Sequence, residues 1–218
     1  MIYSNERKLC LSGWLKEYNE NEYNSPLKLQ KFLLFYEAFS KVFGDEHDFG
    51  HLRGYKRGPV FSNVWGDYTK EREMFNYIAT EKYHSKKENI DLVRAKKCAF
   101  FVQTLTEKEL SDVTHHMNIW KSKKNRIMRG EYQVDLEEKD FNSDDEQMIK
   151  LLDSMYPEEM IENSQVISLD KNYFVFNKRD VTRLTEAHFD TLFALAENEK
   201  LHNPVYVDMD EEGRLIID

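Results

Sequence analysis

The chain has 218 residues, 40% of them apolar and 13% aromatic, which is enough for one large domain, or a domain with an appendage, around a true core. Four prolines and eight glycines exclude a disordered tract and a turn-rich all-β sandwich, and no run approaches the ~18 apolar residues that a membrane-spanning helix needs. The net charge of −9 is unevenly spread: residues 1–130 hold 23 Lys/Arg against 17 Asp/Glu, whereas residues 131–218 hold 8 against 23.

In chain order, the first helix is predicted over Asn5 to Tyr18, with Leu9, Cys10, Trp14, Leu15 and Tyr18 on one stripe. "NENEYNS" reads as a polar loop. Ser25 and Pro26 then form a helix entry, a hydroxyl to accept an orphan N–H followed by a residue with preset φ. "PLKLQKFLLFYEAFSKVF" is apolar around most of its circumference and is the predicted central helix, ended by Gly44. "DEHDFGHLRGYKRG" reads as irregular or a short strand. A third helix is predicted to open at Pro59, pinned to the core by Val60, Val64 and Trp65, with a break near Gly66. The pattern of Val93, Ala95, Cys98, Phe101 and Val102 predicts a helix over 90–103. Thr106 and Glu109 form a capping-box signature for the next helix, followed by the basic, amphipathic "IWKSKKNRIMRG".

After Gly130 the chain turns acidic: "EYQVDLEEKDFNSDDEQMIKLLDSMYPEEMIE" contains twelve acids and two lysines. Ser143 and Glu146 suggest a second capping box, for a helix through Met148, Leu151, Leu152 and Met155 that stops at Pro157. A hairpin is predicted around Asp170–Asn172. A helix capped by Thr185 should bury Phe189, Leu192, Phe193 and Ala196, and a last strand pair turns at Gly213. The expected fold is therefore mainly α, a compact helical domain around a buried central helix, with small antiparallel β-hairpins in the C-terminal part. The charge boundary divides it into a helical domain, 1–130, and an acidic helix plus hairpin and helix extension, 131–218, packed on the first.

Chemistry-bearing motifs are sparse. "RGYKRGP" offers glycines and cations, but Pro59 removes an N–H where a phosphate loop needs one, and no GxxxxGK[ST] or GxGxxG occurs. His47 and His51 have no partner motif for a metal, and adjacent His115 and His116 point in different directions on a helix. Cys10 and Cys98 lack zinc spacing and read as reduced, buried thiols. With no signal-peptide pattern at the N-terminus, a cytoplasmic setting is expected. No GxSxG or tuned carboxylate pair points to catalysis. The basic runs "KYHSKKENIDLVRAKK" and "WKSKKNRIMRG" resemble backbone-binding surfaces, yet lysines on exposed helix faces explain them as well. The expectation is no enzyme activity, no cofactor, no metal, no membrane, and no nucleic acid as the main partner.

Three segments taken together resemble a known family. "LKLQKFLLFYEAFSKVFG", "YKRGPVFSNVWGDY" and "LTEKELSDVTHHMNIWKSKK" are similar, in order and spacing, to the Panacea domain family, also known as the SocA-like or phage-associated GepA-like domain. Leu27, Lys28, Leu29, Gln30 and Lys31 match the first block, and Gly58, Pro59 and Val60 the second. Glu109, Leu110, Thr114, His115 and Trp120 match the third. Tyr55 and Arg57 replace the family's alanine-tryptophan approach to the Gly-Pro-Val turn, and the resemblance does not extend to the acidic part after Gly130. The resemblance implies antitoxins that bind unrelated toxins, with one branch similar to a proteolytic adaptor, and many members carried by phages.

The resulting expectation is a protein-binding module that captures a toxin with a basic surface. The alternatives are an adaptor that also contacts a protease and a phage counter-defence protein. The partner-facing residues expected are Tyr55, Lys56 and Arg57 at the corner, His115 and Trp120 in the third block, and Glu137, Glu138, Asp144 and Asp145 in the acidic run. Those acids either attract the partner or neutralise the chain's own basic face.

Overall fold

In the computed structural model, which describes residues 1–197 and 201–217, the chain wraps one helix almost completely. Helices α1 (Glu6–Tyr18) and α2 (Glu20–Asn24) precede that central helix, α3 (Pro26–Val42). Entry to α3 follows the predicted form: Ser25 Oγ accepts the Lys28 N–H at 3.2 Å and Pro26 occupies the first turn. Every residue from Leu27 to Ser40 is buried, charged ones included. Charges in that position need partners. Glu37 accepts from Lys8 Nζ at 2.5 Å and Arg7 Nε at 2.9 Å, both on α1, and Lys28 Nζ meets Glu22 on α2 at 2.7 Å. The "NENEYNS" stretch is thus a short helix rather than a loop. Asn19 Oδ1 caps it, and buried Tyr23, whose hydroxyl donates to Asn76 Oδ1 at 2.6 Å, anchors it.

The corner that follows differs from its prediction. Leu52–Tyr55 (β1) and Gly58–Phe61 (β2) form an antiparallel hairpin pairing Leu52 with Phe61 and Tyr55 with Gly58. Val134–Asp135 (β3) adds to the other side of β1. Pro59 lies in the edge strand β2 and opens no helix; an edge tolerates its missing N–H. Helix α4 (Ser62–Lys70) starts after the strand and runs through Gly66, so the break falls at Glu71, before α5 (Arg72–Lys86). Val64 and Tyr68 are buried, whereas Trp65, predicted to pin this helix, is 40% exposed. Helix α5 lies against α1 where Gly13 meets Ala79: a Cβ on Gly13 would overlap the Ala79 carbonyl.

Helices α6 (Leu92–Gln103), α7 (Glu107–His116), α8 (Asn118–Lys121) and α9 (Lys124–Met128) complete the first 130 residues. The Thr106–Glu109 capping box is formed, but Val93 faces solvent. In α10 (Ser143–Met155) the cap is Asn142, not a Ser143–Glu146 box: its Oδ1 accepts the N–H groups of Asp144 and Asp145 at 3.1 and 3.2 Å. Ile149 and Leu152 bury one face while Leu151 and Met155 stay outside. Pro157 then leads into α11 (Glu158–Asn163).

The last part contains β4 (Ser164–Leu169), β5 (Asn172–Asn177), α12 (Lys178–Val181), α13 (Glu186–Ala196), β6 (Val205–Met209) and β7 (Leu215–Ile217). Both predicted hairpins are present, with Asp170 at φ 52° in the first turn, and parallel pairing of β5 with β6 merges them into one four-stranded sheet. Thr185 caps α13, which buries Leu192 but leaves Phe193 exposed. The main core runs from Leu9 to Val175 and includes Phe141, Ile149, Leu152, Tyr156 and Ile161 from beyond Gly130. A smaller core joins Phe174, Phe176, Leu192, Val205 and Val207. The described residues thus form a mainly α fold of thirteen α-helices and two small sheets, and none of the helices is long and apolar enough to cross a membrane.

Candidate functional site

The three segments that carry the family resemblance meet at Gly58. From α3, Lys31 Nζ donates to the carbonyl oxygens of Arg57 and Pro59 at 3.1 and 3.3 Å, and Gln30 Oε1 accepts the Phe61 N–H at 2.8 Å. From the third segment, the Trp120 indole N–H donates to the Tyr55 carbonyl at 2.9 Å, and the His115 ring stacks on Trp120 with centroids 4.0 Å apart. Glu107 closes the side, accepting from Ser25 Oγ at 2.7 Å and Arg57 at 2.6 Å. Gly58 itself has φ +104°, a conformation closed to most side chains. A Cβ there would overlap Lys31 Nζ and stand 2.6 Å from Thr114 Oγ1. The hairpin tip is held from below by an amine, from the side by an indole, and only glycine fits between.

Two basic groups under this turn have no anion. Lys31 is 1% exposed and has no carboxylate within ion-pair distance among the described residues; burial, with the positive charge of Arg57 beside it, brings its pKa down to about 7. Burial and then Lys31 lower His115 in turn, and its Nε2 is buried without a hydrogen-bond partner. Beside Lys31 lies a cavity of about 470 Å³, walled by Pro26, Leu27, Pro59, Val60 and Trp65, with exposed Lys56 and Arg57 at its edge. Its chemistry is that of an apolar slot with a buried amine in its wall.

The expected partner-facing residues divide. Lys56 and Arg57 form the exposed two-residue turn, Tyr55 is half-buried, and His115 is half-buried against Trp120. Trp120 is 1% exposed and spends its N–H inside the chain, so it braces the turn and offers nothing to a partner. Asp145 is also buried: its carboxylate accepts the N–H groups of Asn118 and Ile119 at 2.5 and 3.0 Å and so caps α8. Glu137 is exposed and pairs with Lys139 at 2.8 Å. Glu138 meets Lys41 and His47 at 2.6 and 2.9 Å, while Asp144 is exposed.

Much of the acidic run neutralises the chain's own basic side. Glu131 pairs with Arg126, Asp135 with Arg53, Asp140 with Lys123, Asp153 with Lys97 and Glu162 with Lys96. Asp144, Glu146, Glu158 and Glu159 make no ion pair among the described residues and are exposed. Of these, Asp144 shares a face of α10 with Leu151 and Met155, which lie one turn apart and are 60% and 53% exposed.

Sequence reasoning singled out Lys31 only as part of a motif. The available signal was a lysine on a helix that is apolar all round, where no face leads to water. Trp65 and Val60, expected in the core on a helix opening at Pro59, are exposed and half-buried because Pro59 and Val60 lie in strand β2. No family model, curated protein or solved structure matches the chain.

Proposed function

We propose that the protein is a non-catalytic, antitoxin-like binding module that captures a partner protein carrying a basic surface. The observations that carry this reading are the four exposed acids without an ion pair among the described residues, Asp144 and Glu146 on α10 and Glu158 and Glu159 on α11, and the exposed Leu151 and Met155, which share the face of α10 that carries Asp144. Exposed apolar side chains beside unpaired charge suit a protein interface, and the surviving negative charge selects a cationic partner and speeds its approach. Lys150 is the one opposing charge within α10. The resemblance of three segments to the Panacea domain supports the antitoxin character, and the exposed turn residues Lys56 and Arg57 offer a second contact.

The test is co-expression with the product of the neighbouring reading frame, scored by growth and by co-purification. Wild-type protein protects the cells and co-purifies with that product. Leu151→Glu, and reversal of Asp144, Glu146, Glu158 and Glu159 to lysine, abolish both effects while leaving the melting temperature within about 2 °C of wild type. Protection that survives both changes overturns the assignment of this face. Rapid loss of the captured partner from cells marks delivery to a protease rather than simple capture.

A further inference from the structure

We propose that the cavity between α3, β2 and α4 is a binding site for an apolar group bearing one carboxylate, of the size of an aromatic monocarboxylic acid. This goes beyond the protein-capture reading and rests on different residues.

The volume of about 470 Å³ falls in the range of small-ligand pockets, and Pro26, Leu27, Pro59, Val60 and the exposed Trp65 give it apolar walls with one aromatic plate. What sets the ligand's charge is Lys31. A lysine ammonium has three N–H donors; two go to the carbonyl oxygens of Arg57 and Pro59, and the third has no acceptor among the described residues. Neutral carbonyls leave the ammonium charge uncompensated in a site with almost no water contact, which is costly. A carboxylate seated at the floor of the slot brings the missing negative charge next to Lys31, where the apolar walls leave the attraction little screened, and a small shift of the wall lets it serve as the missing acceptor.

The surrounding charges favour the same ligand. Lys56 stands at the opening with no ion pair among the described residues, while Arg57 beside it is paired with Glu107. Glu107 is the one acid lining the cavity, and its carboxylate is taken by Ser25 and Arg57. A neutral ligand of equal shape leaves Lys31 unpaired, and a cationic one meets repulsion. The preference is therefore for an anion with an apolar body.

The experiment is an NMR titration of the full chain with phenylacetate, 2-phenylethanol and phenethylamine. Phenylacetate is expected to shift the Trp65 indole signal and the amides of residues 55–58 and 60, binding at least about tenfold more tightly than the alcohol or the amine. Because the carboxylate pairs with protonated Lys31, affinity falls by about tenfold or more between about pH 6 and about pH 9. Trp65→Ala, on a half-exposed side chain, weakens binding several-fold without unfolding the chain, and Lys31→Met abolishes the preference of acid over alcohol. Equal binding of acid and alcohol, pH-independent affinity, or shifts that map elsewhere overturn the proposal. N-acetyl-Ala-Phe with a free and with an amidated C-terminus distinguishes the sources: tighter binding of the free peptide than of phenylacetate assigns the site to a chain end, the reverse to a free acid. Loss of this binding leaves the α10 face untouched, so the two readings fail separately.

Discussion

The Trp120 indole and the Tyr55 carbonyl oxygen, 65 residues apart in the chain, are joined by a 2.9 Å hydrogen bond that fixes α8 to the last residue of β1. Trp120→Phe keeps an aromatic ring but removes the donor. The expected loss is about 2 kcal/mol, roughly half from the hydrogen bond and half from ring volume. Urea unfolding measures it; a loss indistinguishable from zero would mean the bond contributes nothing.

Gly58→Ala combines positive-φ strain with the collision against Lys31. The strain alone costs about 1–3 kcal/mol. Lys31→Met takes away the amine that the new methyl strikes, so the two substitutions together should cost less than their separate sum. Simple additivity in the double-mutant cycle would show that the amine does not shape this position.

For Lys31 the sign of the pH dependence follows from burial. Its value drops to about 7 in the folded chain from an ordinary value of about 10.5. Between the two, the unfolded chain binds more protons, so the burial penalty is complete below about pH 7 and is relieved as pH rises toward about 10.5. Wild type should gain stability relative to Lys31→Met over that window, by at most about 1.4 kcal/mol per pH unit. His115, held by burial below its ordinary range, is already neutral across that window and adds nothing to the difference between the two proteins. Parallel curves at pH 7 and 9 would count against it.

Glu37 is fully buried and holds both Lys8 and Arg7. Glu37→Gln leaves the Lys8 ammonium, which burial already pushes below its usual value, with only the longer 3.5 Å contact to Asp48 Oδ2 for charge. The expected cost is about 3–5 kcal/mol, with a double change to Lys8→Met and Glu37→Leu recovering much of it. Thermal or urea melts decide the matter; a single substitution costing under about 1 kcal/mol means that Glu37 is not the main counter-charge of Lys8 and Arg7.

Cys10 and Cys98 are buried and unpaired, and burial raises both thiols, Cys10 to about 11. Neither should react with a thiol reagent at neutral pH until the chain unfolds, and both should then react together. Fast labelling of either in the native protein would place it at the surface.

Most of the helices were legible because their signals are local: Ser25–Pro26, Thr106–Glu109 and Thr185 each cap where the sequence places them. The hairpin at 52–61 was not, since a Gly-Pro step serves a helix start and an edge strand equally well, and only pairing with β1 chooses between them. The same ambiguity misplaced Trp65. In the acidic run, composition revealed the charge but not its use. Asp145 caps α8 from 27 residues away, and Glu138 finds Lys41 across 97, distances over which residue type carries no information.

Strand β5 turns Val175 toward the helical body and Phe174 and Phe176 toward the smaller cluster. Since neighbouring residues of a strand point to opposite sides, shifting this one by a single position would drive two bulky rings into a place shaped for an isopropyl group and leave a void behind. The turn at Asp170–Lys171 therefore works as a length gauge. Adding or deleting one residue there disturbs two interiors at once, although the turn itself lies in open solvent.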